Sequence, residues 1–314
     1  MKENFVTYFD KNYLPKGLCL YNSLVEQNIN FILWIVCTDD ITYNFFEKSK
    51  LKHVKIIDLK DIETSELIKV KQHRTKTEYL WTISSFCIDY VLNNHVKEDR
   101  ITYVDADIYF FKDPKYIFDE FEKSNKDVLI TKHSYSPELD LSNTSGNFCV
   151  QFIIFKKGNG QIVLNNWKES CLNWCYAKLE DGKFGDQMYL DEWPKKFNSY
   201  THILTKESLA MGPWNVLRYP YSDAIFFHFH GLKLINKKFL FLGLYNIPIP
   251  TIENLYKPYL IELKKNIKYL NSLNIYPSDM NLRQLTKTIL KYFLIKFYNK
   301  FNLIQKIFNK FLMI

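Results

Sequence analysis

The chain reads as an α/β protein built on a mostly parallel sheet with helices on both faces. Three observations carry that expectation. Over the first hundred or so residues, short β-type runs and helically spaced segments alternate as β-α-β-α-β-α-β. Phe31–Cys37 is continuously apolar (Phe-Ile-Leu-Trp-Ile-Val-Cys), the mark of a strand buried on both faces. Ile101–Val104 is another apolar run, and it ends on two carboxylates, Asp105 and Asp107. In parallel sheets, ligands bind beyond the carboxyl ends of the strands.

Phe5–Phe9 is the first strand, and Gly17 to Glu26 follows with Leu18, Tyr21, Leu24 and Val25 at helical spacing. After Phe31–Cys37, Thr38-Asp39-Asp40 is an N-cap leading into a helix over Ile41–Lys48. Val54–Leu59 is a third strand. A polar, basic connection (Lys69, Lys71, His73, Arg74, Lys76) precedes a helix over Thr77–Leu92, and Ile101–Val104 is the fourth strand. Pro114 opens a short helix, and Asp127–Thr131 is a strand. Ser134–Asn147 is a polar loop. Phe148–Phe155 is the second strongest strand signal, with a helix from about Gln161 to Leu179 behind it. A short glycine-started helix ends at Pro194, Met211–Asn215 is a turn, and Ala224–Phe229 is strand-like. The expected division is a sheet domain over 1–248 and a helical tail over 249–314.

The tail is basic and amphipathic. Residues 281–314 carry seven Lys or Arg and no acid, so nearly all of the net charge of +8 sits there. Leu285, Ile289, Leu290 and Phe293 form one apolar stripe, and Phe297, Phe301, Ile304, Phe308 and Phe311 a second, rotated one. Helices of this kind lie on anionic membrane surfaces; the other reading is a helix docked on the core or on a second subunit. With the charge confined there, nucleic-acid binding is not expected.

Composition is globular, with 47% hydrophobic and 24% charged residues, and rich in rings at 25 Phe and 22 Tyr. Only 9 glycines occur and no phosphate-binding glycine motif, which excludes the usual glycine-loop nucleotide sites. The six cysteines form no C-x-x-C, which suits reduced core thiols in a cytoplasmic protein. Cys171 and Cys175 lie one helical turn apart but lack the further ligands that zinc requires. No apolar signal core or run of about 20 apolar residues is present. The expected location is therefore cytoplasmic, with any contact to the inner face of the membrane peripheral.

Asp105 and Asp107, two apart in an extended backbone, point to the same side and can approach one object together. Two carboxylates that close repel unless a cation sits between them. Hard oxygen ligands favour Mg²⁺ or Mn²⁺, and such ions take one or two carboxylates together with substrate phosphates. The structural alternative is a solvated Asp-Ala-Asp turn.

With these pieces placed, residues 5–233 resemble the GT-A glycosyltransferases, most closely those related to family 8. Tyr103-Val-Asp105-Ala-Asp107 resembles that family's "YLDAD", Ser145-Gly146-Asn147 and the strand after it the sugar-pocket segment, and Gly185-Asp186-Gln187 the "DQ" helix start. Trp214-Asn215 resembles its "WN", and His228-Phe-His230-Gly231-Leu-Lys233 its "HFxG…K".

The resemblance implies a GT-A, Rossmann-like sheet and a metal, Mn²⁺ or Mg²⁺, held by Asp105, Asp107 and His228. His230 shares a strand face with His228, and the offset to Gly231 selects His228. It further implies a nucleoside diphosphate sugar, UDP-linked, as donor, a glycan or lipid-linked acceptor, and retention at the anomeric carbon. Donor contacts fall to Thr7, Tyr8, Phe9, Arg74, Tyr79, Ala106, Asn147, Gly231 and Lys233, and the reaction to Asp186 and Gln187. Two departures stand out. Lys233 is five positions after His228, one fewer than in many relatives, and Trp81 stands near the place of a helix arginine. A bacterial surface polysaccharide is the product this analogy suggests. A degenerate, noncatalytic sugar-nucleotide module and a membrane scaffold are the other readings, and oligomeric state is left open.

Overall fold

A computed structural model describes residues 2–235, 239–278, 280–297 and 311–313. Strand β1 (Glu3–Phe9), helix α1 (Leu14–Glu26) and strand β2 (Phe31–Cys37) open the chain. Asp39 accepts a hydrogen bond from the Thr42 N–H and starts helix α2 (Asp40–Ser49) as an N-cap. Strand β3 (Val54–Asp58) follows. The basic connection expected next is partly helical: α3 (Ser65–Lys71) is capped by Thr64 and buries Leu67. At seven residues it is too short for periodicity to declare it. Thr75 and Glu78 then form a capping box that starts α4 (Lys76–Asn94).

Strands β4 (Arg100–Val104) and β5 (Ile108–Phe110) flank the two aspartates. Beyond them come α5 (Lys115–Ser124), β6 (Val128–Lys132), the single turn α6 (Ser142–Ser145), β7 (Phe148–Lys156) and α7 (Asn159–Asn173). Helix α7 stops six residues short of the expected Leu179. The Arg74 guanidinium donates to the Cys171 and Leu172 carbonyls at 2.8 and 2.7 Å, satisfying the helix end there. The remaining elements are α8 (Trp193–Lys196), β8 (Thr201–Ile203), β9 (Ala210–Met211), β10 (Phe226–His228), β11 (Lys233–Ile235) and β12 (Phe239–Phe241). Helices α9 (Ile249–Thr251), α10 (Lys257–Ser272) and α11 (Leu282–Phe297), then strand β13 (Phe311–Met313), complete the order.

Seven strands form the main sheet in the order β3-β2-β1-β4-β7-β6-β8, all pointing one way except β7, which is antiparallel to both neighbours. Period-2 alternation sends Phe5, Phe9, Leu33 and Ile35 into one apolar cluster with α1, α2 and α5. Val6, Trp34, Val36 and Tyr103 enter the other, with α3, α4 and α7. Helices therefore cover both faces of a mostly parallel sheet, as expected. Two small sheets, β5-β10-β9 and β11-β12-β13, stand beside it.

The segment after residue 248 packs directly behind β10. Tyr259 stacks on Phe229 with ring centroids 3.7 Å apart, and Tyr256, Leu263 and Ile267 share that cluster. Further on, Leu285 is buried against Ile235 and Phe241, while Leu290 is exposed. The second tail stripe, apart from its terminal positions Phe297 and Phe311, lies outside the described residues. No described helix is long and apolar enough to cross a membrane.

At the sheet end remote from the aspartates, Arg100 is buried and binds Glu3 and Glu122. Burial pushes the Glu3 carboxyl up, and the guanidinium draws it back. Arg100→Met strands that buried carboxylate, so urea unfolding at pH 7 should show a loss of about 3–5 kcal/mol. Adding Glu3→Leu should restore most of it; a single variant as stable as the parent would contradict the assignment.

Candidate functional site: a carboxylate–imidazole centre in the strand-end cleft

Beyond the carboxyl ends of β1 and β4 lies a cleft of about 690 Å³. Its floor is built by a crossing. Strand β4 ends at Val104, the chain turns through Asp105-Ala106-Asp107, and β5 pairs antiparallel with β10, Ile108 opposite His228. The Phe229 N–H donates to the Asp107 carbonyl at 2.9 Å, closing that pairing. Residues far apart in sequence thus meet because one three-residue strand captures another.

Asp105, Asp107 and His228 converge so that one ligand atom of each lies within 4.8 Å of the others. His228 Nε2 is 3.0 Å from Asp107 Oδ1 and 3.7 Å from Asp105 Oδ2. Asp107 and His228 are buried. Burial disfavours both charges, but each is the other's counter-ion. Asp107 is held far below the usual carboxylate range, and His228 well above the usual imidazole range. Burial, only partly offset by His228, raises Asp105. Its Oδ1 accepts from the Tyr103 hydroxyl at 2.8 Å, and its N–H donates to the Gln151 carbonyl at 3.0 Å. Two oxygens and one imidazole nitrogen aimed at one point are a donor set that fits a hard divalent cation. Such a cation would take the place of the imidazolium proton.

Asp186 lines the same cleft and is buried. Burial first, and then the charge of Asp105, push its carboxyl up to about 7, against a hydrogen bond with Ser84. Ser84 Oγ lies 3.0 Å from Asp186 Oδ2 and 2.9 Å from the Tyr8 hydroxyl. Gln187 also lines the cleft and donates from Nε2 to the Ser145 carbonyl at 2.7 Å. Gly185, at φ +54°, brings its backbone under Trp81, where a Cβ would sit 3.1 Å from the ring. Trp81 and Phe184 form a ring pair at the cleft with centroids 5.9 Å apart.

Among the expected donor contacts, Tyr8, Phe9, Ala106 and Lys233 line the cleft. Lys233 Nζ donates to the Tyr13 hydroxyl at 3.0 Å. The others lie elsewhere. Arg74 is buried against Thr82 and the end of α7, and Tyr79 donates to Glu63 at 2.6 Å. Thr7 is buried within β1. Asn147 is exposed and bonded to Asp191, and Gly231, at φ +80°, packs its backbone on Gly243. His230 also lines the cleft and is exposed there, its ring 5.5 Å from that of His228 between centroids.

Sequence reasoning passed over Ser84 and three further groups. Lys16 is buried beside the cleft, 3.9 Å above the Tyr13 ring, with Nζ on the Leu232 carbonyl at 3.0 Å. His133 lines the cleft stacked on Tyr135, its Nδ1 3.1 Å from the Gly146 carbonyl. Gln151 sits behind His228. For Gln151 a signal existed: it is the one amide in the apolar run Phe148–Phe155.

No protein-family model matches the chain. Two Bacillus subtilis proteins are similar to it in sequence. Uncharacterized protein YfnF is 29% identical over 254 residues, covering 75% of this chain and 84% of YfnF. Uncharacterized protein YfnD is 27% identical over 288 residues, covering 86% and 91%. Among solved structures, galactosyltransferase LgtC, in complex with donor and acceptor sugar analogues, superposes with a TM-score of 0.54 at 9% identity. The match spans 83% of this chain and 95% of LgtC. Glycosyltransferase GlyE of Streptococcus pneumoniae gives 0.52 at 14%, over 88% and 65%, and mouse xyloside xylosyltransferase 1 gives 0.50 at 12%, over 73% and 97%. Sheet, strand-end cleft and Asp-x-Asp turn together place this chain in the GT-A fold of these glycosyltransferases.

Proposed function

We propose that the chain is a metal-dependent glycosyltransferase that moves a sugar from a nucleoside diphosphate sugar, UDP-linked, to a glycan or lipid-linked acceptor. One observation carries the reading: Asp105, Asp107 and His228 converge on one point at the floor of a strand-end cleft. Mn²⁺ or Mg²⁺ bound there would supply positive charge to the diphosphate as it leaves. The chain's own groups do the rest. Asp105, Asp107 and His228 would hold the cation, and the Tyr103 hydroxyl fixes one oxygen of the Asp105 carboxylate. Lys233 lines the same cleft and adds a cation for phosphate oxygens. Asp186, on the cleft wall beside Asp105, offers its carboxyl to the hydroxyls of the transferred sugar.

A thermal-shift panel of nucleoside diphosphate sugars with and without Mn²⁺ tests this directly. A cognate donor at about 100 times its dissociation constant stabilises the folded state by about 2.7 kcal/mol. The expected result is a rise in melting temperature with a UDP-sugar only when Mn²⁺ is present. Equal shifts in EDTA would count against a metal–diphosphate site. Metal-dependent binding without turnover across an acceptor panel would favour a noncatalytic module.

A further inference from the structure

We infer that Gln151 is a positioning residue that sets His228 as a ready-made cation ligand, an inference that rests on the metal reading above. Gln151 is fully buried in β7, a strand whose other residues from Phe148 to Phe155 are apolar or cysteine. It grips two members of the centre at once. Its main-chain carbonyl accepts from the Asp105 N–H at 3.0 Å, and its side-chain Oε1 lies 3.1 Å from His228 Nδ1. An amide oxygen can only accept, so Nδ1 carries the hydrogen. The lone pair of the neutral ring is then on Nε2, which faces Asp107 and Asp105. Imidazole ligands are commonly fixed in this way, the second nitrogen donating to an outer partner that sets ring orientation and tautomer. The Cys149 thiol also contacts the ring, but sulfur is a weak acceptor beside an amide oxygen.

The other end of the amide separates this role from simple packing. Gln151 Nε2 is buried and has no hydrogen-bond partner among the described residues. An unmet donor in an apolar strand is a cost to folding, and an unbranched apolar side chain of the same length would not incur it. Gln151 therefore serves the centre at the expense of the core around it.

The experiment compares the parent with Gln151→Met, measuring Mn²⁺ binding by electron paramagnetic resonance and the melting temperature in EDTA. The expected result is Mn²⁺ binding about 10–100-fold weaker in the variant, as for other outer-partner losses, with an unchanged or higher melting temperature. Equal Mn²⁺ affinity would overturn the role of Gln151 alone. A parent that binds no Mn²⁺ would overturn the metal reading, and this inference with it. A fall in melting temperature alongside the lost affinity would assign Gln151 to the structure instead. Nitrogen NMR of the unsubstituted protein with saturating Mg²⁺ needs no variant: His228 protonated on Nδ1 supports the inference, and protonated on Nε2 overturns it.

Discussion

Asp107→Asn is expected to lower metal-supported transfer by about a thousandfold or more, the several kcal/mol that a bound cation contributes to stabilising a departing oxyanion. Among the two carboxylates, Asp107 is the more buried and the closer to His228. Asparagine keeps its shape and removes the charge, so the fold should persist while the cation loses its deepest ligand. Donor hydrolysis and transfer, titrated with Mn²⁺, are the measurements. The variant should require far more Mn²⁺ and still not reach the parent's rate. Asp105→Ala should do likewise, and EDTA should bring the parent down to the level of both. A variant retaining full activity in EDTA would remove the centre from the mechanism. Lost activity with parental Mn²⁺ affinity would show that Asp107 acts on the substrate, not on the cation.

Asp186→Asn should separate activity from stability in opposite directions. Burial, and then the Asp105 charge, raise the folded-state pKa of Asp186 from an unfolded value near 3.9 to about 7. The folded protein then binds more protons than the unfolded chain between those values, so the group's effect on stability worsens as pH rises through them. Well below that unfolded value the carboxyl is protonated in both states, and the variant should match the parent. Above about pH 7 the parent carries a buried charge that asparagine avoids. The variant should be more stable there by about 2–4 kcal/mol in urea unfolding without metal. A cation at Asp105 and Asp107 offsets the repulsion from Asp105, so Mn²⁺ should narrow the gap. Transfer should fall by about 10²-fold, the scale of one hydrogen bond between a charged group and substrate. A stability difference independent of pH would show that Asp186 is not titrating in this range.

Asp105 and Asp107 were readable because strand, turn and paired acids are local: the run Ile101–Val104 declares the strand, and spacing puts both acids on one side. Arg74 and Tyr79 were not. A long cationic or phenolic side chain reaches several ångströms in any direction, and its partner is set by packing. Arg74 turned to carbonyls 97 and 98 residues away, and Tyr79 to Glu63. Ser84 and Lys16 gave no signal, since a serine in a helix and a lysine near a helix start are ordinary. The end of α7 was misplaced because the hydrogen-bond donor that terminates it comes from a distant segment.

By itself the sequence determined the class of fold, the alternation of strands and helices over its first hundred residues and the position of the acidic turn, all consequences of period-2 and period-3.6 burial that act within a few residues. The family resemblance pointed to His228 and Lys233, but the contacts that bring the imidazole to Asp107, and the amide that orients it, were decided only by tertiary structure. The pairing of β5 with β10 brings His228 to Asp107, and the reversed strand β7 sets Gln151 behind His228. Contacts of that kind depend on how sheets and loops cross in space, and no local periodicity records them.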